Sequence, residues 1–569
     1  MRYIIVLLII AGFQWSVLNV QGQSSTSFNA AEDSYWENPA NWSNGIPDAS
    51  MDAIIYSLVE IGPGNSATCR NLNITGPGAF VWIYGVSTDP TVLTVSGNCE
   101  IQNGTGNKLQ ADGYSTVFIQ GSLTNNESVL IGNRGKLTIS GPLTNQDLFT
   151  VNSGGSLITY SSVVNTGSFS LRRTIVANKW HLISIPVPGV NTFSSFFGDY
   201  LQEWQPLTSS WRQITSPGET LQVMKGYALW HSTTTLMYEF LNAPNTGNQS
   251  IEIFPGIGYS GYNLVGNPYP SSIDWSLLDD TYGAVYYWKD NAYISWNNGI
   301  GSGISLVPPF QGFFIFVPQD QYNPEGSTFE VNNNHRIHPS GITYYKSELK
   351  SQTLVLETLS QDYADQVFIS FDKNQTEGFD FHSDAYKMLS PATGLSQLYT
   401  LASGDLLSID VRPETDRIQL GFTNDQAGNY NIGIAAASDV EGVILEDTKT
   451  GTFHDLSAGI FEFSWNPNTD TENRFILHVN TTGLEDTEHS SNIKVLSSSE
   501  KIKILGAEKG EVIIINMHGQ MVHKESLSAN GEIAIPSYLK TNIYLLTLKY
   551  GSTIFTEKII IKNSDSLNY

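Results

Sequence analysis

The residues of this chain best suited to ligand-binding chemistry are aromatic and lie between residues 175 and 318. An aromatic ring offers a flat apolar face that matches the apolar face of a pyranose, so exposed rings can stack on sugars. Aromatic side chains in β-rich domains also form cores, and both interpretations stay open at this point. The candidate glycan-binding residues are Trp275, Tyr287, Trp288 and Trp296, of which Trp288 and Trp296 are the first to test.

Catalytic and metal-binding patterns are absent from the sequence. It contains no Gly-x-Ser-x-Gly elbow, no His-Glu-x-x-His pattern and no phosphate-binding loop. Adjacent acids such as Asp279 and Asp280 occur, but a glycosidase needs two carboxylates across a cleft, which sequence spacing does not reveal. His335 and His338 lie three residues apart in a polar stretch, where surface polarity is favoured over metal binding. We therefore assign no catalytic and no metal-binding residue.

The two cysteines, Cys69 and Cys99, are the only ones in the chain. In an oxidising compartment they are candidates for one disulfide bond. The alternative is a pair of buried thiols, and sequence alone does not decide between the two.

The formal net charge of −25 constrains the partners. Binding to nucleic acid or to an anionic membrane surface needs clustered Lys and Arg, so neither partner is expected. No cofactor is expected, although the acidity leaves calcium binding open.

The first 22 residues have the layout of a secretory signal peptide. Arg2 precedes the apolar run Ile4–Ile10, and Val20–Gly22 is a suitable cleavage site that places the mature start near Gln23. No later segment reaches the length of about 18 apolar residues that a transmembrane helix requires. The sequence therefore predicts export without a membrane-spanning segment.

Residues 113–167 repeat themselves with a period of 20 residues. Gly121–Asn126 returns as Gly141–Gln146, and Val129–Ile139 returns as Phe149–Thr159. Each unit contains two short alternating strands, which can bury their inward side chains only by stacking on a neighbouring unit. We predict a parallel β-solenoid over residues 24–172, capped by a segment whose Trp36 and Trp42 close the core.

A second duplication predicts two copies of one aromatic-rich β module over residues 175–318. The matched pairs are Trp180–Val187 with Tyr262–Tyr269, Trp204 with Trp288, Trp211 with Trp296, and Lys225–Trp230 with Gln311–Phe316. Residues 319–340 read as a polar linker, and strand-like runs over 341–482 predict a β-sandwich. The fold class is therefore all-β and multidomain, with a short parallel β-solenoid, β-sandwich-like modules and a small C-terminal β-sandwich over 490–563.

The C-terminal region carries a family resemblance. Asn516 and Gly519 bracket a turn, Tyr544 opens a strand after Leu539, and Lys558 precedes the final apolar run. This pattern resembles the type A sorting domain of the type IX secretion system. Asn542 stands where the family usually has Gly, and Asn563–Tyr569 extends past the expected end.

The resemblance implies a Gram-negative source, passage through the type IX secretion machinery across the outer membrane, removal of this domain, and attachment to lipopolysaccharide. A last adhesive sandwich without a sorting role is the alternative. We expect a secreted or cell-surface protein that is a non-catalytic adhesin or matrix component with glycan binding. The alternatives are a secreted polysaccharide-acting enzyme and a spacer that binds nothing.

Overall fold

The computed structural model describes residues 24–232, 234–256, 260–319, 327–339, 349–360, 363–415, 417–481, 494–497, 501–505, 510–516, 520–527, 531–540, 542–550 and 553–561. The predicted signal peptide lies outside these residues. The chain forms two compact units. One contains the described residues up to Val440 and Gly459–Phe475, and the other contains Glu441–Ala458 and the described residues from Ile476 onward. Almost all regular structure is β, which confirms the predicted fold class.

A β-solenoid opens the first unit. Its strands are β1 Ser25–Phe28, β2 Asp52–Ile55, β3 Leu58–Ile61, β4 Ser66–Cys69, β5 Leu72–Ile74, β6 Phe80–Gly85, β7 Thr91–Val95, β8 Cys99–Ile101, β9 Lys108–Gly113, β10 Ser115–Ile119, β11 Leu123–Asn125, β12 Ser128–Ile131, β13 Lys136–Ile139, β14 Leu143–Asn145, β15 Leu148–Val151, β16 Ser156–Thr159, β17 Val163–Asn165 and β18 Ser168–Ile175. A 3-10 helix spans Pro39–Asn41. The strands pair in parallel along three sheets, so residues 52–159, all of them described, complete five turns.

The 20-residue repeat appears directly in the strand register. Leu123 pairs with Leu143, and Val129 pairs with Phe149. Each turn has three strands, whereas the sequence suggested two, because β11 is a separate three-residue strand that the sequence pattern merges with its flanking turns. Inward side chains alternate with outward ones along β12 and most other solenoid strands, which is the pattern that buries one face of a sheet.

Polar and aromatic side chains complete the solenoid interior. Asn145 donates a hydrogen bond to Asn165 (2.7 Å) and accepts one from Asn125 (2.6 Å), so the asparagines of successive turns form a ladder. At the N-terminal end, the buried rings of Trp36 and Trp42 pack edge to face with centroids 4.8 Å apart. These two tryptophans close the core as expected.

Of the two alternatives for the cysteines, the structure has the pair of buried thiols and no disulfide between them. Cys69 lies in β4 and Cys99 in β8, on different sheets, and both are free buried thiols. Burial raises the pKa of Cys69 to about 12 and also raises the pKa of Cys99. Because the thiolate is the reactive form, both act as small apolar core residues.

The aromatic-rich module follows. Its elements are β19 Trp180–Ile183, α1 Thr192–Ser195, β20 Tyr200–Gln205, β21 Ser210–Gln213, β22 Tyr227–Trp230, β23 Leu236–Leu241, β24 Gln249–Ile253, β25 Tyr262–Gly266, β26 Ser272–Asp274, α2 Asp279–Tyr282, β27 Val285–Lys289, β28 Ala292–Asn297, β29 Ile300–Gly301, β30 Leu306–Val307, β31 Gly312–Phe316, β32 Ser327–Val331 and β33 Arg336–Ile337, with 3-10 helices at Pro206–Thr208, Trp275–Leu277 and Asn333–His335. The first copy forms a sheet in the order β19-β22-β20-β21, and the second forms one in the order β25-β31-β27-β28-β29. Strand β29 has no counterpart in the first copy. The other four strands of the second sheet, β25-β31-β27-β28, follow the order of β19-β22-β20-β21, so the duplication extends to topology.

The predicted linker 319–340 is largely regular structure where it is described. Strand β32 pairs with β24, and β33 pairs with β26. Arg336 is buried and donates hydrogen bonds to the carbonyl oxygens of Leu157 and Thr159, each at 2.8 Å, at the end of the solenoid. The segment attaches the module to the solenoid because the buried guanidinium of Arg336 satisfies backbone acceptors of the solenoid.

The third region contains β34 Thr353–Ser360, β35 Tyr363–Phe371, β36 Ala385–Tyr386, β37 Gln397–Ala402, β38 Asp405–Arg412, β39 Ile418–Thr423, β40 Gly428–Ser438, β41 Val440–Asp447, β42 Thr452–Asp455, β43 Phe461–Trp465 and β44 Phe475–Thr481, with a 3-10 helix at Leu456–Ala458. In the first unit its strands run in the order β39-β37-β38-β35-β34-β40-β43. A buried ion pair joins Lys387 to Asp365 at 2.5 Å.

In the second unit, β41 and β42 form a hairpin. Strand β44 belongs to this unit from Ile476 onward, and the remaining strands are β45 Lys494–Ser497, β46 Lys501–Leu505, β47 Glu511–Asn516, β48 Met521–Ser526, β49 Glu532–Ala534, β50 Asn542–Tyr550 and β51 Thr553–Ile561. They form two antiparallel sheets in the orders β45-β46-β49 and β48-β47-β50-β51. Their inward side chains share one apolar core that includes Ile502, Val512 and Leu546.

Candidate functional site

Three of the four predicted glycan-binding residues are core residues. Trp275 has no exposed surface and donates its indole N–H to the carbonyl oxygen of Gly283 at 2.9 Å. Trp296 and Tyr287 are also buried, in the same apolar cluster as Trp275. Trp275 and Trp296 present no face to a ligand, which corrects the prediction for them, whereas Tyr287 also lines a small pocket. Trp288 is half-buried and borders an open cleft.

The cleft lies between the two copies of the module and the third region. Its volume is about 370 Å³, and its lining is mostly apolar. The first copy contributes Trp180, Leu182, Gln202, Trp211 and Ala228, the second contributes Trp288, Asn291 and Tyr293, and Pro391 and Ala392 complete it. A space of this size is within the ordinary range of small-molecule sites.

A tight hairpin positions the residues from the second copy. Asp290 and Asn291 link β27 to β28 with φ values of 47° and 66°, the left-handed pair of a two-residue turn that follows the twist of the strands. The turn places Trp288 opposite Tyr293, and their rings meet edge to face at 4.8 Å. Ser390 donates its hydroxyl to the Asn291 carbonyl oxygen at 2.5 Å, which holds the segment of Pro391 and Ala392 against the turn.

The corresponding hairpin of the first copy supplies Trp211. Trp204 and Trp211 are cross-strand partners, with ring centroids 5.4 Å apart. The indole N–H of Trp204 donates to the Tyr262 carbonyl oxygen at 2.7 Å, so this ring is fixed between the copies, whereas Trp211 is 36% exposed at the cleft.

Strand register corrects one pair of the sequence alignment. Trp204 faces Trp211 and its counterpart Trp288 faces Tyr293, so the counterpart of Trp211 is Tyr293 and not Trp296. The two copies differ here because the first hairpin uses a longer loop through the 3-10 helix Pro206–Thr208.

The floor of the cleft is a row of cross-strand partners. Leu182 pairs with Ala228, and Ala228 pairs with Gln202. The small Ala228 side chain leaves room above the sheet, with Trp180 and Trp211 on either side. Within the described part of the chain, the side-chain amides of Gln202 and Asn291 and the indole N–H groups of Trp180, Trp211 and Trp288 form no hydrogen bond.

The chemistry of this lining is stacking plus neutral hydrogen bonding. Burial raises the pKa of Tyr293 to about 12, so its phenol is neutral at physiological pH. The amides of Gln202 and Asn291 provide both donors and acceptors. The cleft therefore suits a neutral ligand with apolar faces and hydroxyl groups. Trp288 also borders a smaller pocket of about 80 Å³ with Lys289 and Gln311.

The predicted sorting motif is partly described. Asn516 ends β47 and accepts a hydrogen bond on its side-chain oxygen from the Gln520 amide at 2.9 Å, while Gly519 lies outside the described residues. Tyr544 in β50 is the cross-strand partner of Asn516, and its hydroxyl donates to the Lys540 carbonyl oxygen at 3.0 Å. Lys558 lies in the next strand opposite Leu545. The fold thus brings the Asn and Tyr positions side by side.

The described part contains no group of three or more His, Cys, Asp and Glu side chains arranged to hold a metal ion. Among the described helices, none has the length and apolar character needed to cross a bilayer.

A protein-family model covers most of the chain. It matches residues 27–479 and is described as "Domain of unknown function (DUF8693)". The chain belongs to this family. The DUF8693 match includes the solenoid, both copies of the module and the third region, and it ends before the C-terminal sheets.

A curated relative adds a distant similarity. The chain is 22% identical over 509 residues to the minor fimbrium subunit Mfa5 of Porphyromonas gingivalis, strain ATCC 33277. The alignment covers 80% of this DUF8693 chain and 39% of the relative. The chain thus spans about two fifths of the length of the curated relative it matches.

Proposed function

We propose that this protein is an adhesin of the Gram-negative cell surface, exported by the type IX secretion system. The name of the distant relative, a fimbrium subunit, supports a surface role. The apolar N-terminal run and the Asn516, Tyr544 and Lys558 pattern support the export route, with the type IX machinery and lipopolysaccharide as the partners at the outer membrane.

The adhesin is non-catalytic and holds a neutral glycan in the aromatic cleft. The observation that carries this proposal is the convergence of Trp180, Trp211, Trp288 and Tyr293 on one open space with two free amides. Aromatic faces supply affinity for pyranose rings, and the amides supply selectivity among their hydroxyl groups. No cofactor is part of the proposal.

A glycan array probed with the mature chain tests it. We expect binding to neutral glycans, and Trp288→Ala should weaken it at least about tenfold, or about 1.4 kcal/mol, because the variant loses one wall of the cleft. Tyr56→Ala is the matched control because Tyr56 is a 50% exposed aromatic residue on the solenoid. Equal binding by wild type and Trp288→Ala would refute the cleft as the site.

The rival functions give different results. A polysaccharide-acting enzyme would release reducing ends from a panel of polysaccharides incubated with the mature protein. A spacer would bind no glycan on the array. Either result would replace the adhesin proposal.

A further inference from the structure

Three aromatic side chains form a row across the sheet of the first copy. Trp180 in β19 pairs directly with Trp230 in β22, and Trp230 pairs directly with Tyr200 in β20. Residues that are direct cross-strand partners share a face of the sheet. The row therefore presents one ring on each of three adjacent strands.

This row lies at the mouth of the cleft. Trp180 belongs to both the row and the cleft lining, and the next residues on the same face of the three strands are Leu182, Ala228 and Gln202, which form the cleft floor. Tyr200 is 56% exposed, and Trp230 and Trp180 are partly exposed with ring centroids 5.6 Å apart.

The row is open to a ligand. Among the residues that the structure describes, none accepts a hydrogen bond from the indole N–H of Trp230 or Trp180, and none bonds the Tyr200 hydroxyl. These polar groups are available to hydroxyl groups of a sugar lying on the rings.

The spacing of the row selects the kind of ligand. Adjacent strands are about 4.8 Å apart, which is close to the length of one pyranose in an equatorially linked chain. Rings placed on successive residues of one strand face would be farther apart, at about 6.7 Å. A polysaccharide that crosses the strands at right angles therefore meets one aromatic ring for each sugar.

The charge of the protein indicates that the polysaccharide ligand is neutral. The cleft lining contains amides and no ionisable group other than Tyr293, and the chain has a formal net charge of −25. An anionic polysaccharide would be repelled by this field. A neutral polysaccharide avoids this electrostatic repulsion.

We propose that Tyr200, Trp230 and Trp180 are stacking subsites for consecutive sugars of a neutral, β-1,4-linked polysaccharide chain that continues into the cleft. This inference rests on the proposed glycan-binding function and specifies its ligand as a chain segment. A β-1,4 chain exposes an apolar face at every sugar, and its linkages let successive sugars turn, so it can follow Trp180 and Trp230, whose ring planes are inclined at 55°.

Calorimetric titration of the mature chain with cello- and chito-oligosaccharides of one to six sugars tests the inference. We expect affinity to rise by about two- to tenfold for each sugar that gains a ring partner. In Tyr200→Ala the ratio of hexasaccharide to disaccharide affinity should fall toward one, and Tyr200→Phe should restore it because the ring remains. Tyr56→Ala should leave the ratio as in wild type.

The possible outcomes distinguish this inference from the proposed glycan-binding function on which it rests. If the hexasaccharide binds no better than the disaccharide, or if the gain survives in Tyr200→Ala, the row is not a set of subsites, while Trp288-dependent glycan binding stands. If neither the cello-oligosaccharides nor the chito-oligosaccharides bind but other glycans on the array do, the β-1,4-linked polysaccharide is the wrong ligand. If the protein binds no glycan at all, both proposals fall.

Discussion

The ion pair between Lys387 and Asp365 is buried in the third region. The ammonium group lies 2.6 and 2.5 Å from the two carboxylate oxygens, and the Leu398 amide donates to the same carboxylate at 2.7 Å. Both side chains are at most 5% exposed. Such a pair contributes little when complete, but removing one partner leaves an uncompensated charge in the core.

Asp365→Ala should therefore destabilise the third region by about 3–5 kcal/mol. Urea unfolding of wild type and variant would measure the loss of unfolding free energy. Tryptophan fluorescence is the signal, and Trp465 reports on this region. The double variant Asp365→Ala/Lys387→Met should recover most of it, since no charge is left behind. A loss below about 1 kcal/mol in the single variant would contradict the buried-charge argument.

His338 makes the junction between the solenoid and β33 sensitive to acid. Its ring nitrogens contact the hydroxyl groups of Ser156 and Thr138, each at 2.8 Å. Desolvation, with help from the charges of Lys136 and Arg336, lowers its pKa to about 3 from a usual value of about 6.5. The folded protein thus keeps His338 neutral over a range where the unfolded chain protonates it.

Stability should fall as the pH drops from about 6.5 towards 3, by up to about 1.4 kcal/mol per pH unit from this group. Above pH 6.5 the imidazole is neutral in both states and contributes no slope. Thermal melts of wild type and His338→Asn between pH 7.5 and 4 would isolate the effect, with wild type losing more Tm in acid. Parallel pH profiles for the two proteins would show that the imidazole does not titrate in this way.

At the scale of elements, the solenoid turns behave as interchangeable units. Turn β11–β13 and turn β14–β16 have the same length, and every strand of one is in register with its counterpart in the other. In such repeats each unit contacts its neighbours alone, so stability is approximately additive along the array.

Excision of residues 123–142 should therefore leave a solenoid that is one turn shorter. We expect a β-type circular dichroism spectrum, a monodisperse elution profile and cooperative melting at a lower Tm, because one set of turn contacts is lost. Excision of residues 133–142 is the matched control, since it removes β13 and breaks the three-strand order. If both deletions fold equally well, the turn is not the folding unit.

The elements also show how far sequence reasoning reaches. The period of 20 residues was enough to predict the solenoid because stacked turns must place equivalent residues in register. The three-strand turn was missed because Leu123–Asn125 is too short to show alternation of its own. The linker prediction was wrong for β32 and β33 because the buried role of Arg336 depends on carbonyl groups about 180 residues away.

The candidate site was only partly predictable. Trp288 was identified from its residue type, but Trp275 and Trp296 have the same type and are buried, and nothing local distinguishes them. The useful signal was the turn of Asp290 and Asn291, which makes Trp288 and Tyr293 cross-strand partners. The contribution of Trp180 and Gln202 depends on how the two copies pack, which a single sequence does not encode locally.

At the scale of the whole molecule, export should depend on the C-terminal region. A chain that ends at residue 488 lacks the Asn516, Tyr544 and Lys558 pattern, so we expect it to accumulate in the periplasm. Immunoblots of periplasmic, surface and medium fractions, with an antibody to the solenoid, would compare it with the full chain. Surface delivery of the truncated chain would reassign the last region as a further binding module.

Export of the full chain can also be compared between the point variants Lys558→Ala and Tyr56→Ala. The first changes the proposed sorting pattern, and the second changes an exposed residue of the solenoid. Normal export of both, together with retention of the truncated chain, would place the signal in other residues of the same region.

The C-terminal edge of one solenoid sheet, strand β16, is already occupied within the chain. A parallel β edge is a template onto which strands of another molecule can add, the step from which cross-β fibres grow. Here the Leu157 amide donates to the Pro270 carbonyl oxygen, and Arg336 occupies the carbonyl groups of Leu157 and Thr159. Since these edge groups are already used within the chain, β16 cannot seed head-to-tail polymerisation, and any filament built from this protein must join its subunits through other surfaces.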